Sequence, residues 1–108
     1  MDTNFYEQVY ALVRLIPEGR VSSYGAIARA LGAGKASRMV GYAMRYAGLA
    51  QAPVPAHRVV NRSGLLTGKF HFSPPEQMAE LLAAEGVVVE NDKVRHFKQV
   101  FWDPLKEI

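Results

Sequence analysis

Apolar residues recur at helical spacing over residues 3–16, where Phe5, Val9, Leu12, Val13 and Ile16 fall on one face. Thr3 stands where an N-cap belongs, and Pro17-Glu18-Gly19 stops the pattern. A second helix is expected from Ser22 or Ser23, either of which can cap it. It should bury Ile27, Ala28 and Leu31 and end in Gly32-Ala33-Gly34. That turn leads into a third helical pattern over residues 36–47. Ala36, Val40, Ala43, Met44 and Ala47 share one face of it, and Arg38, Gly41, Tyr42 and Arg45 the other. Two helices joined by a short glycine-containing turn make a helix-turn-helix pattern.

From Gly48 to Pro55 the chain reads as a loop stiffened by Pro53 and Pro55. Val59-Val60 and Leu65-Leu66 flank Asn61-Arg62-Ser63-Gly64, which predicts a hairpin there. Ser73-Pro74-Pro75-Glu76 predicts a helix start, with Ser73 as N-cap, Pro74 in the first turn and Glu76 closing a capping box. Met78, Leu81 and Leu82 would be its buried stripe and Gly86 its end. Short strands are expected at Val87–Val89 and Val94, and Trp102 should tuck the tail onto the body. The fold class is therefore mainly α with a small β-hairpin, a winged helix-turn-helix domain.

Composition narrows the partners. A chain of 108 residues fits one domain spanning 1–108. Hydrophobic residues make up 49% and charged residues 21%, as in an ordinary globular fold. No apolar run approaches the roughly 18 residues of a membrane span. Met1-Asp2-Thr3-Asn4 has no signal-peptide character, so the expected location is cytoplasmic. Cysteine is absent, which excludes disulfides, thiolate zinc sites and thiol nucleophiles. His57, His71 and His96 lack metal-ligand spacing, so neither metal nor cofactor is expected.

The net charge of +3 is unevenly spread. Between Arg14 and Lys69 lie nine basic residues and one acid, Glu18, whereas the flanking segments hold four basic and nine acidic residues. Such segregation points to a polyanionic partner, and Tyr42 and Arg45 read as phosphate-facing. A helix-turn-helix alone does not say what is bound.

The informative stretch is Pro55-Ala56-His57-Arg58-Val59. It resembles the Pro-Cys-His-Arg-Val active-site motif of the O6-alkylguanine-DNA alkyltransferases. Tyr24-Gly25-x-Ile27-Ala28, Arg38-x-Val40-Gly41-x-Ala43-Met44 and Leu81-Leu82-x-x-Glu85-Gly86 stand in that family's order and spacing. The resemblance runs from about residue 5 to residue 88, the family's DNA-binding domain without the N-terminal domain of its repair enzymes. Ala56 stands where those enzymes carry their cysteine. Dealkylation needs an activated thiolate that accepts the alkyl group, and a methyl side chain cannot serve. The chain is therefore similar to the alkyltransferase-like proteins, which lack that cysteine. They commonly carry tryptophan at this position, so alanine leaves extra room and bulkier adducts should fit.

The resemblance implies minor-groove binding by the second helix of the motif, with Ala36, Ser37 and Gly41 small enough for close approach. Arg38 matches the arginine finger that fills the gap left by a flipped nucleotide. Tyr24 matches the tyrosine that crowds the flipped nucleotide's phosphate. The lesion pocket would comprise Tyr24, Pro55, Ala56, His57, Arg58, Val59 and Lys69. His57 and Glu85 would keep structural or hydrogen-bonding roles, Val59 would line the pocket with its backbone, and Lys69 would place a cation over the base. Gly48 falls near the family's hinge asparagine.

The resulting expectation is a monomeric, non-enzymatic sensor that binds double-stranded DNA containing O6-alkylguanine. It would hand the lesion to nucleotide excision repair damage-recognition proteins. One rival is a sequence-specific winged-helix transcription regulator, which leaves the Pro-x-His-Arg-Val loop unexplained. Another is a hydrolase using His57 and Glu85, which lacks a serine or metal cluster to support it. The plain readings are a solvated charge for Arg38 and a core-capping ring for Tyr24.

Overall fold

A computed structural model describes the backbone of residues 3–108 and the side chains from Phe5 onward. Helix α1 covers Thr3–Val13 and buries Phe5, Val9, Leu12 and Val13. Tyr10 is buried with them because its hydroxyl donates to the Ala43 carbonyl at 2.8 Å. The helix does not reach Ile16. The Leu15 and Ile16 amides donate to Leu12 and Val13 at 3.0 Å, a tightened final turn. Pro17 disfavours α-helical backbone at the residue before it, which accounts for the stop. The proposed Thr3 cap lies outside the described residues, whose side chains begin at Phe5.

Helix α2, Tyr24–Ala30, is capped by Ser23, whose hydroxyl accepts from the Ala26 amide at 3.1 Å. Leu31 is its C-cap and only half-buried. Helix α3 spans Ser37–Arg45 and is followed by a single 3-10 turn, Ala47–Leu49. Val40, Ala43, Met44 and Ala47 face the core, and Ala36 is half-buried at the N-cap. These three helices close over one apolar cluster together with Val59 and Trp102. A second cluster gathers Val21, Val60, Leu66, Met78, Leu82, Val87 and Val94.

The two clusters meet at a parallel strand pair, β1 (Ser22–Ser23) and β2 (Val59–Val60), with Ser22 opposite Val59 and Ser23 opposite Val60. This corrects the hairpin expected at Val59–Leu66. The Asn61–Leu65 turn does form, with Asn61 Oδ1 accepting from the amides of Ser63 and Leu65. Beyond it the chain leaves β2: Leu65 bridges to Lys93, and the Leu66 amide donates to the Asp92 carbonyl at 2.8 Å. The hairpin lies instead between β3 (Val89–Glu90) and β4 (Lys93–Val94). Its turn residues Asn91 and Asp92 have φ of 52° and 61°, the left-handed backbone that two-residue hairpin turns require and these residue types tolerate.

Helix α4 covers Gln77–Ala84 and corrects a second expectation. Ser73 is not the cap, Pro74 is not in the first turn, and Glu76 is the N-cap residue without a side-chain cap bond. Pro75 disfavours helical backbone at Pro74, which delays the start. Met78 and Leu82 are buried four residues apart, but Leu81 is 37% exposed and lies off that line. Gly86, at φ 87°, ends the helix as expected. Two short helices follow, α5 (Phe97–Val100) and α6 (Pro104–Glu107). Trp102 is buried between them, its amide donating to the Val21 carbonyl at 2.7 Å. No helix among the described residues is long and apolar enough to cross a membrane.

Candidate nucleic-acid interface

The outward face of α3 and the start of α2 border one open cavity of about 410 Å³. Its lining is Tyr24 from α2, Ser37, Arg38, Gly41, Tyr42 and Arg45 from α3, and His71 from the 3-10 turn Lys69–His71. Six of these seven are positions that the sequence led us to expect at a DNA interface; His71 is not. Ala36, the remaining member of that set, lies beside a neighbouring cavity at the helix-turn-helix turn. Neither Arg38 nor Arg45 meets a carboxylate among the described residues. Arg45 instead lies over the Tyr42 ring, 6.0 Å from its centroid. The face is therefore cationic, with its charges uncompensated among the described residues.

Gly41 matters by what surrounds it. A Cβ built there would meet nothing within 4 Å, so packing inside the protein does not require glycine. Glycine within a helix costs about 1 kcal/mol relative to alanine. A residue that costs stability and is not needed for packing fits a face that must be approached closely by something else.

Tyr24 is held more tightly. Burial pushes its phenol up, opposed by a hydrogen bond with Thr67, so the group is neutral at physiological pH and able to donate to an oxyanion. Its hydroxyl packs on Gly68, where an added Cβ would come within 2.8 Å. His71 Nδ1 would stand 3.7 Å from that same Cβ. Partial desolvation, then the Arg45 charge, lower the His71 imidazole below its ordinary 6.5, leaving it neutral beside the cavity. Thr67 and Gly68 thus support the tyrosine, with His71 beside them at the cavity, and no periodicity in the sequence marked any of the three. They belong to a loop and a single 3-10 turn.

The second group of expected residues is organised differently. Ala56–Arg58 form a 3-10 turn feeding β2, with the Ala56 amide donating to Val54 at 2.8 Å and the Arg58 amide to Pro55 at 3.0 Å. None of Pro55, Ala56, His57, Arg58, Val59 and Lys69 lines the cavity over α3. Pro55, Ala56 and His57 are half-buried. Val59 is in the core, 1% exposed. The Arg58 guanidinium turns inward, donating to both Glu85 carboxylate oxygens and, at 2.9 Å, to the Ile16 carbonyl. Arg58 thus anchors the turn to Glu85 and Ile16 in this structure. Lys69 pairs with Asp92 at 2.6 Å, and its ammonium lies 5.2 Å from the Phe70 ring centroid. Asp92 thus competes for the cation expected over a base.

Glu85, the C-cap of α4, draws this region together. It accepts from Arg58, from His57 Nε2 at 2.7 Å and from the Gly19 amide at 3.1 Å. Gly19 has φ 85°, a left-handed conformation that glycine adopts without strain. The Glu85 and Arg58 side chains are only 10% and 15% exposed. Burial by itself would raise the carboxyl, but Arg58, His57 and the Gly19 amide outweigh it and hold Glu85 at about 2. An ionised Glu85 can only accept, so His57 carries its proton on Nε2. The imidazole is thereby oriented beside Ala56, whose methyl group offers it nothing to activate.

The chain matches the DNA-binding domain of 6-O-methylguanine DNA methyltransferase over residues 4–87. It is 34% identical over 104 residues to alkyltransferase-like protein 1 of Schizosaccharomyces pombe, covering 93% of this chain and 95% of that one. It is 33% identical to a DNA base-flipping protein of Escherichia coli, covering 94% of this chain and 77% of that one. Its fold superposes, with a TM-score of 0.83 and 31% identity, on S. pombe Atl1 in complex with damaged DNA containing O6-carboxymethylguanine, covering 94% and 97% of the two chains. The chain thus belongs to the 6-O-methylguanine DNA methyltransferase family, as its DNA-binding domain.

Proposed function

We propose that the chain is a non-enzymatic sensor of alkylated DNA. It binds a duplex, rotates an O6-alkylguanine out of the stack, and holds the base without changing it. The observation that carries this reading is the uncompensated cationic cavity over α3, where Tyr24, Arg38 and Gly41 stand together. Similarity to a base-flipping protein and to a protein crystallised on alkylated DNA supports it.

The minor groove is only about 6 Å wide, so α3 must present small residues to enter it. Ser37 and Gly41 supply that flat approach. Arg38 takes the space vacated by the extruded guanine, and the Tyr24 hydroxyl donates to the rotated phosphate. Extrusion costs a few kcal/mol, offset by these contacts and by the base's new surroundings. Transfer of the alkyl group would need a nucleophile at position 56, and Ala56 has no lone pair to offer. The adduct therefore persists on the bound base. A second machine must remove it, and nucleotide excision repair damage-recognition proteins are the proposed partners.

A duplex carrying one O6-methylguanine opposite a fluorescent cytosine analogue tests the flipping step. Emission from the analogue should rise on binding and stay flat with Arg38→Ala. An equal rise with both proteins would contradict the role given to Arg38, and no rise with either would contradict flipping. Competition among unmodified duplexes of different sequence separates the sensor from a transcription regulator, which would single out one of them.

A further inference from the structure

A second cavity, of about 440 Å³, adjoins the one over α3 and shares Tyr24 and Ser37 with it. Two guanidiniums line it, Arg29 from α2 and Arg62 from the turn after β2, and no acidic residue does. Neither arginine has a carboxylate partner among the described residues. The parallel pairing of β1 with β2 brings them together, because it sets the start of α2 beside Asn61 although 33 residues of chain separate Arg29 from Arg62.

Both arginines are placed by their surroundings. Arg29 folds back along two glycines: a Cβ at Gly25 would stand 3.3 Å from its Nη1, and one at Gly34 would stand 3.6 Å from its Cγ. A Cβ at Gly25 would press the guanidinium by a few tenths of an ångström and one at Gly34 would make ordinary contact, so the side chain lies close along both. Arg62 rides on a turn fixed by Asn61 Oδ1, which accepts two backbone amides. Both guanidiniums line one trough with no counter-charge among the described residues, so an anion there would be attracted by two charges at once. Planar guanidiniums suit a phosphate, which each can meet with two parallel hydrogen bonds.

We propose that this cavity is a phosphodiester subsite in which Arg29 and Arg62 clamp a DNA backbone phosphate beyond the flipped nucleotide. The proposal rests on the reading of the chain as a DNA binder and extends its footprint. Tyr24 and Ser37 form the ridge between the two cavities, so a strand that crosses the first continues into the second. The clamp reads the backbone alone, so it adds affinity for any duplex without adding preference for a lesion.

The test uses the full chain with Arg29→Gln and Arg62→Gln, singly and together, on plain duplexes and on duplexes with one O6-methylguanine. Both side chains are exposed, and melting temperatures check that each variant folds. The double variant should bind both duplexes about tenfold more weakly, keep the wild-type preference between them, and lower the log-log salt slope by about 1. Lysine at both positions should restore the slope. A single neutral methylphosphonate walked along the strand should weaken the wild type at one position beyond the lesion and leave the double variant indifferent there. Unchanged affinity and slope would overturn the clamp, and so would loss of lesion preference, since the pair would then be reading the base. The plain-duplex arm stands alone: a wild type that ignores the lesion sinks the sensor and still reports on the clamp.

Discussion

Gly41 and Gly68 lack side chains for opposite reasons. At Gly41 the space beside the backbone is empty, so Gly41→Ala should raise stability, by up to about 1 kcal/mol in thermal melts, while weakening DNA binding. A variant equally tight on DNA would mean that α3 does not press its backbone against the duplex. At Gly68 the space is filled by the Tyr24 hydroxyl, and a methyl group there would displace the phenol. Gly68→Ala should cost roughly tenfold in affinity for the lesion duplex, about 1.4 kcal/mol, and Tyr24→Phe should lose little more when combined with it. Independent losses in the double variant would separate the two residues. Under the proposed function, position 56 sets which adducts fit. Ala56 should admit larger O6-alkyl groups better than Ala56→Trp does, and titration with methyl and bulkier adducts reads the difference as a ratio of affinities.

Among the elements, the C-terminal cap of α4 does most to set the geometry around Ala56. Glu85 is held at about 2, below the ordinary glutamate value of 4.5. A carboxyl depressed on folding stabilises the protein above its unfolded value and loses that contribution as pH falls through the folded one. Stability should therefore decline between about pH 5 and pH 2, by on the order of 3 kcal/mol from this group. Glu85→Gln should flatten that decline and destabilise the protein at neutral pH by roughly 3 kcal/mol, since Arg58 is left buried without its counter-charge. A variant with the wild-type acid profile would remove Glu85 from the account. The elements also differ in how far the sequence disclosed them. Helix α3 was readable because Val40, Ala43 and Met44 fall on one face and its arginines on the other. The start of α4 was not, because Ser73-Pro74-Pro75-Glu76 satisfies the local cap rules while the second proline blocks helical backbone at the first. The hairpin was misplaced for a different reason. Asn61–Gly64 forms its turn, but β2 pairs with β1, a long-range partner that no local pattern announces. Asp103-Pro104, a cap residue followed by proline, did announce α6, though the signal was not read.

Across the whole molecule, basic residues gather on the segment that builds the two adjoining cavities, while the acidic residues of the C-terminal part supply Glu85 and Asp92 as internal counter-charges. If about six phosphates are neutralised, log affinity should fall against log salt with a slope of roughly −5. A slope near zero would dissolve the electrostatic argument for this face. The helix-turn-helix part of the candidate site was legible because one amphipathic helix encodes it. The Ala56–Val59 stretch was legible only as a motif, and its partners Gly19, Ile16 and Glu85 emerge from tertiary packing. The central claim joins recognition to chemical inertness, and one experiment reads both. Matched duplexes with and without a single O6-methylguanine are titrated with the purified protein, and the recovered DNA is then analysed for the methyl group. The account predicts tighter binding to the modified duplex with every methyl group still on guanine. Equal binding to both duplexes, or guanine recovered free of its methyl group, would contradict it.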